Sequence, residues 1–167
     1  MMSILNNKIL FSQIVSVKKK FHNEELLFIS YFFETTQIKP SSIIIRDKFI
    51  FFLVSNEDYF FARSFSKFLR YKLRHYKVII VREEKTLLRL IFSFFPDTYI
   101  HDIHLKRDSS SKNMVITLFF IFDVDRGIAI GNHGSYINTI NFIFNNSVNY
   151  QYKDKTRIKI QCKKLFL

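Results

Sequence analysis

Glycine is confined to eight consecutive positions of this chain. Gly127, Gly131 and Gly134 lie in the string RGIAIGNHG, between an apolar strand-like run and an amphipathic helix-like run. Glycine allows a positive φ angle and, because it lacks a Cβ atom, lets another molecule approach the main chain closely. Main-chain N–H groups exposed in this way can contact the phosphates of a nucleic acid. The loop at residues 131–134 is therefore the first candidate binding site.

Basic side chains form the second candidate site. Lys and Arg number 26 against 14 Asp and Glu, so the formal charge is +12, which predicts a polyanionic partner and nucleic acid first. Four cations with no acid between them recur at helical spacing in residues 59–76: Arg63, Lys67, Arg70 and Arg74. Such a face repels itself unless phosphates neutralise it, so phosphate contact is favoured over a merely solvated face.

A membrane surface is the competing partner for a basic chain. Proteins that lie on anionic lipid concentrate their charge on one face of an amphipathic helix, whereas here the cations are spread from Lys8 to Lys164. The longest mainly apolar run, residues 114–122, is half of the ~18 residues that a membrane span needs. The sequence therefore predicts no membrane partner.

The remaining reactive side chains do not assemble into a recognisable catalytic or metal-binding pattern. His101 and His104 are three apart in a predicted strand, so they point to opposite faces and cannot easily share an ion. Asp123 and Asp125 could face the same way as magnesium ligands, but ending a strand before a helix is the more ordinary role, with Asp125 as a cap. Cys162 is predicted to be a core thiol. We expect no enzymatic activity, no cofactor, no metal and no small-molecule substrate.

Composition also bears on the origin of the gene. The chain has 21 Phe and no Trp, and it is rich in Ile, Lys and Asn, whose codons are A+T-rich. Such a bias favours an organelle genome or an A+T-rich parasite. A length of 167 residues suits one domain, or one domain with an extension.

The amino-terminal part reads as a basic segment followed by mainly helical structure. An apolar stripe within residues 26–33 predicts a helix that must be buried against something. Residues 39–42 break this pattern, and residues 43–54 predict a short hairpin or an extended arm. Residues 59–76 predict one basic amphipathic helix.

The carboxy-terminal part alternates helices and strands. After an apolar stretch at residues 78–81, periodicity predicts a helix over residues 83–95, with Glu83 and Glu84 in its first turn. Two strands follow and then a helix of one or two turns, the glycine loop, a second helix and a last strand: residues 99–106, 113–122, 127–132, 131–134, 135–146 and 156–162. The predicted fold is thus α/β (α+β), in the order helix, strand, strand, helix, GxxG loop, helix, strand.

This order, with a GxxG loop between the last two helices, resembles the type II KH domain, whose loop clamps about four nucleotides of a single strand. RGIAIGNHGSYINTINFIF is similar to the PGIVIGKKGxxVxxL stretch of the family of the third protein of the small ribosomal subunit. YIHDIHLKRDSSSKNMVITLFF resembles the two strands and polar turn of that family, and KPSSIIIRDKFIFFLVSNEDYFFARSFSKFL resembles its amino-terminal arm. The chain departs from the family at Asn132 and His133, where lysines are usual.

The resemblance implies a structural constituent of a small ribosomal subunit, bound to rRNA and to neighbouring ribosomal proteins in the subunit head. With the composition, it implies a mitochondrial ribosome in the matrix and a gene in the organelle. Two alternatives remain: a free KH factor in organellar RNA processing or ribosome assembly, and a basic membrane-surface protein.

The predicted domains are an amino-terminal extension and basic arm, residues 1–81, and a type II KH domain, residues 82–167. The predicted RNA-binding residues are the loop with its flanks, the basic helix and the last strand: Gly127, Ile130, Gly131, Asn132, His133, Gly134, Ser135, Arg126, Arg63, Lys67, Arg70, Arg74, Arg157 and Lys159.

Overall fold

The computed structural model describes residues 10–111, 113–151 and 157–166. The chain divides into two compact units, residues 16–85 and residues 86–167 together with the segment that ends at Val15. Both are mixed α/β units, built from small sheets and short helices. The predicted domain boundary after residue 81 stays a prediction, and residues 82–85 lie with the first unit.

The first unit has the order helix, strand, strand, helix, helix, strand. A short strand, β1 (Val15–Val17), spans the boundary at which the chain enters this unit. Its elements are α1 (Asn23–Thr36), β2 (Ser42–Arg46), β3 (Phe49–Val54), α2 (Tyr59–Ser64), α3 (Ser66–Lys72) and β4 (Lys77–Arg82).

The sheet of the first unit has β3 at its centre. β2 and β3 are antiparallel, and because Arg46 pairs with Phe49, only two residues form the turn. The first of them, Asp47, has a φ of 52°, as hairpin turns of this length require. β4 lies parallel to β3 on its other side. Every residue of β3 is buried, and Phe52 stacks on Phe32 of α1 with ring centroids 4.5 Å apart, so the hairpin and α1 share one core.

The second unit has the same order of helices and strands as the first, with one additional strand. Its elements are α4 (Leu87–Ser93), β5 (Asp102–Arg107), β6 (Met114–Phe120), α5 (Asp123–Ile130), a 3-10 turn (Asn132–Gly134), α6 (Ser135–Asn146), β7 (Val148–Tyr150) and β8 (Ile158–Lys164). β6 is central, antiparallel to β5 and parallel to β8. The additional strand β7 pairs with β1.

Two asparagines of α6 hold the outer edge of β8. The Asn141 side chain donates to the carbonyl oxygen of Ile160 (2.9 Å) and accepts from its N–H (2.7 Å). One turn later, Asn145 makes the same pair of bonds with Ile158, at 2.7 and 3.0 Å. These amides satisfy backbone groups that an edge strand leaves open, so α6 is hydrogen-bonded to β8 at two successive turns.

The amino-terminal part was predicted to be a mainly helical extension. In the structure its helices are joined by a three-stranded sheet, and this unit has its own core. Of the two forms expected for residues 43–54, a short hairpin or an extended arm, the structure has the hairpin, and the helix predicted near residues 26–33 is confirmed. Within that helix only one side of the stripe is buried, including Phe28 and Phe32. Leu26, Leu27 and Phe33 remain about half exposed.

Two helix predictions were wrong in extent. The single helix predicted over residues 59–76 is broken at Phe65, where Ser64 and Ser66 each donate a side-chain bond of 2.6 Å to a carbonyl oxygen three residues back. The helix predicted from Glu83 begins only at Leu87, because β4 continues to Arg82 and the Glu83 N–H bonds to Val54 in extended backbone.

Candidate nucleic-acid interface

The loop between α5 and α6 depends on left-handed backbone. α5 ends at Ile130, and Gly131 and Gly134 then adopt φ angles of 76° and 75°. His133 between them has a φ of 51°. The Gly131 N–H closes the last turn of α5 on Gly127 at 2.9 Å, and the Gly134 N–H bonds to Gly131 at 3.2 Å. The loop therefore turns the chain from one helix into the next within four residues.

The glycines differ in what a side chain would meet. A Cβ atom on Gly131 would lie 2.7 Å from Cβ and 2.8 Å from the backbone nitrogen of Tyr136, so it would collide with the start of α6. A Cβ atom on Gly134 would be 3.5 Å from Asn138, so only its φ angle disfavours a side chain. Gly127 lies inside α5 and would meet nothing within 4 Å. Turn geometry thus requires Gly131 and Gly134, and not Gly127.

Tyr136 anchors the loop to the core of the second unit. Its hydroxyl donates to the carbonyl oxygen of Phe94, and burial raises the pKa of this phenol well above its usual range. Its ring packs edge-on against Phe95 at 5.8 Å, and Phe94 contacts Phe144 of α6 in the same manner at 5.4 Å. The first turn of α6, which follows the loop directly, is therefore packed against the end of α4.

The side chains of the loop add no fixed positive charge. Asn132 and His133 are exposed, and Ser135 has a buried Oγ atom with no hydrogen-bond partner among the described residues. Arg126 lies one turn before the loop, but its guanidinium pairs with Asp123 at 3.4 Å. The loop therefore offers mainly its backbone, together with the neutral polar groups of these residues.

Asp123 accepts a hydrogen bond from Lys164 of β8 as well, and this bond holds the pKa of the carboxyl below its usual value. Asp123 and Asp125 both lie in the first turn of α5, after Phe122 as the N-cap residue. The prediction of Asp125 as the cap was therefore wrong. Acids in the first turn of a helix are stabilised by its dipole, which explains both positions.

The last strand carries the two remaining predicted cations of this unit. Arg157 precedes β8 and Lys159 lies within it, and both are exposed. The second unit thus contains the loop with its flanks, from Arg126 to Ser135, and places Arg157 and Lys159 on a different element, β8.

Cys162 of the same strand was predicted to be inward. It is half-buried, and burial raises the pKa of its thiol to about 12.

The four predicted cations of the first unit lie on or beside α2 and α3. Arg63, Lys67, Arg70 and Arg74 are all exposed. Arg63 also donates to the Tyr59 hydroxyl at 3.3 Å, and Arg70 to the Val78 carbonyl oxygen at 3.5 Å, so these two are held against the unit.

Exposed aromatic rings accompany these cations, and the sequence prediction did not include them. Phe60, Phe61, Phe68 and Tyr71 are 71%, 58%, 67% and 85% exposed. Their signal in the sequence was the alternation of rings with Lys and Arg throughout residues 59–76. The stripe of Phe and Leu drew that prediction toward core packing, although only Leu69 and Leu73 of the α3 region are buried.

The described part of the chain contains no group of three or more His, Cys, Asp or Glu side chains that could hold a metal ion. His104 instead bonds to its strand neighbour Asp102 at 2.8 Å. None of the described helices is long and apolar enough to cross a membrane.

Comparison with known proteins gives a likeness of fold alone. No protein-family model matches the chain, and no curated protein matches it. Among solved structures, the crystal structure of APE1850 is similar to 86% of this chain over its own entire length, with a TM-score of 0.58 and 22% sequence identity. That share is larger than either compact unit, so the likeness extends over parts of both.

Proposed function

We propose that this chain is a non-catalytic RNA-binding protein whose second unit is a type II KH domain. The order α4, β5, β6, α5, loop, α6, β8 and the sheet with β6 between an antiparallel and a parallel neighbour support this assignment. The observation that carries it is the pair of positive φ angles at Gly131 and Gly134, at the junction of two helices. A loop of this kind brings its backbone close to the sugar-phosphate chain of a single strand.

Phosphate contact at this loop would come from main-chain N–H groups and from the positive end of the α6 dipole, since Asn132 and His133 bring no fixed charge. Such contacts orient the strand more than they attract it. Long-range attraction would come from the excess of Lys and Arg over the whole chain.

Binding of a fluorescent single-stranded RNA to the full chain tests this site. Gly134→Asp places a carboxylate where phosphate would lie, and we expect it to weaken binding by about tenfold or more, because the side chain obstructs the backbone and its negative charge repels phosphate. Val124→Asp is the matched control, since it adds the same charge at an exposed position in the first turn of α5, at the opposite end of that helix from the loop. Circular dichroism verifies that both variants are folded. Equal affinities of Gly134→Asp and the parent chain would contradict the proposal.

The setting that we propose first is the small subunit of a mitochondrial ribosome, with rRNA and neighbouring ribosomal proteins as partners. The half-exposed Leu26, Leu27 and Phe33 on α1 support it, because neighbours in a large assembly can cover such a surface. On gradients, the tagged chain should sediment with small subunits at low salt and leave them at high salt.

A free RNA-processing or ribosome-assembly factor is the second candidate. The buried core of the first unit supports it, because that unit has what a self-standing domain needs. In that case the chain would sediment away from mature subunits at low salt and remain monomeric without RNA.

A further inference from the structure

The two units have the same chain topology. In each, a helix precedes an antiparallel strand pair, a pair of helices follows, and the last strand lies parallel to the second one. The strand order β2-β3-β4 therefore corresponds to β5-β6-β8. By this correspondence, the junction of α2 and α3 in the first unit is the counterpart of the glycine loop in the second.

The two junctions differ in chemistry. The first unit contains no glycine, and its junction is the single residue Phe65, with φ and ψ of −88° and 2°. The Phe65 side chain packs edge-on against Phe61 at 5.3 Å, so rings cover this turn. A backbone clamp like that of Gly131–Gly134 is thus missing from the first unit. The rings and cations of α2 and α3 occupy the corresponding place.

The charged side chains within the segment that forms this junction are all basic. Residues 59–82 contain seven Lys or Arg and no Asp or Glu. An acid from α1 also reaches these residues, since Glu34 pairs with Lys72 at 3.7 Å. Arg82 also stacks over Tyr59 and Phe60, at 4.6 and 5.0 Å from the ring centroids, so Phe60 is partly engaged within the unit. Phe68 and Tyr71 are the two aromatic rings of α3, and both are exposed.

We propose that α3 carries a second site for single-stranded RNA, which binds by base stacking. Its residues are Phe68 and Tyr71 with the exposed cations Lys67 and Arg74, named here the aromatic-basic face. Phe68 and Tyr71 are three residues apart on one helix, so their Cβ atoms are about 5–6 Å apart and their rings can take neighbouring bases. Cations beside stacked rings are the general means of holding a single strand without reading its sequence.

Charge complementarity selects RNA over a protein as the occupant. A protein partner of an apolar patch buries rings against rings and avoids unpaired cations at the centre of the contact. Here Lys67 lies four residues before Tyr71 on α3, so this cation and the ring share one face of the helix. This site goes beyond the loop of the second unit and does not depend on it.

The test uses the full chain and a fluorescein-labelled oligouridine of about 12 nucleotides. Phe68→Ala together with Tyr71→Ala should weaken binding by about tenfold or more, as loss of stacking does. Phe21→Ala together with Phe33→Ala is the matched control, because it removes two exposed rings of the same unit and should leave affinity within about twofold. Binding to the same oligouridine in a duplex with oligoadenosine should be unaffected by either pair, since paired bases cannot stack on rings.

Ring-preserving variants separate stacking from folding. Phe68→Tyr with Tyr71→Phe should retain the parent affinity, whereas Phe68→Leu with Tyr71→Leu keeps the apolar surface and should still lose it. Lys67→Gln with Arg74→Gln should lower the slope of log affinity against log salt by about 1.4, and the ring variants should leave that slope unchanged.

Parent affinity in the double Leu variant would overturn the stacking site. The Gly134→Asp variant keeps the two proposals distinguishable. Loss of binding there alone would leave the loop site standing and refute this one, and loss in the ring variants alone would do the reverse.

Discussion

At the scale of single residues, the three glycines make different demands on the backbone. Gly127→Ala should raise the free energy of unfolding by about 0.5–1 kcal/mol, because it replaces glycine in a helix where its Cβ meets nothing. Gly134→Ala should lower it by about 1–2 kcal/mol through its φ of 75°. Gly131→Ala should lower the free energy of unfolding further than Gly134→Ala does. Both residues have a similar positive φ, but the Cβ atom at residue 131 would also collide with Tyr136. Urea unfolding of the three variants measures this order, and equal values would contradict it.

The sequence alone located this loop at residues 131–134 and placed Gly127 in the helix before it, but it could not show that Gly131 tolerates a side chain less well than Gly134. That helix starts at Asp123, four residues earlier than predicted. The difference between Gly131 and Gly134 depends on the start of α6, which is held by the anchoring of Tyr136 on Phe94. This anchoring is a contact between residues 42 apart, which no local pattern contains.

At the scale of elements, the side chain of Asn141 on α6 satisfies backbone hydrogen-bonding groups at the outer edge of β8. Asn141→Ala removes the partner of both the N–H and the carbonyl oxygen of Ile160, a residue only 1% exposed. We expect the free energy of unfolding to fall by about 1–3 kcal/mol, the cost of leaving buried polar groups unsatisfied. Asn146→Ala is the control, because this exposed side chain bonds within its own helix, to Phe142, and should cost at most about 0.5 kcal/mol. Denaturant unfolding compares the two, and a similar small loss in both would argue against the role of Asn141.

The elements also differ in how far the sequence specified them. α6 was predicted with its observed bounds, because a glycine precedes it and its apolar residues keep helical spacing throughout. The stretch at residues 59–76 keeps that spacing as well, yet it breaks at Phe65. The break is made by serine side chains that bond to the backbone, and this competition does not alter hydrophobic periodicity.

At the scale of the whole molecule, the first unit lies in the chain as an insertion into the second. The Leu87 N–H bonds to the Gln13 carbonyl oxygen at 3.2 Å, and Ile14 forms a bridge with Thr86, so the chain leaves and re-enters the second unit at neighbouring positions. The sequence prediction of consecutive domains could not anticipate this, because residues 10–15 carry no motif that links them to residue 86. A fragment that starts at Arg82 would lack the strand β1 that pairs with β7.

Replacing residues 20–84 by a Gly/Ser linker of about six residues should therefore leave the second unit folded, since insertions between close chain ends can be removed without loss of a core. Cys162 provides the readout. Burial raises the pKa of its thiol to about 12, so at pH 8.5 the folded unit holds almost no thiolate and should react slowly with iodoacetamide, whereas the denatured chain should react rapidly. We expect the shortened chain to keep this protection and to lose it in one cooperative urea transition. The isolated segment 16–85, which contains its own buried core, should unfold cooperatively as well. Rapid alkylation of the shortened chain without denaturant would show that the second unit needs the first in order to fold.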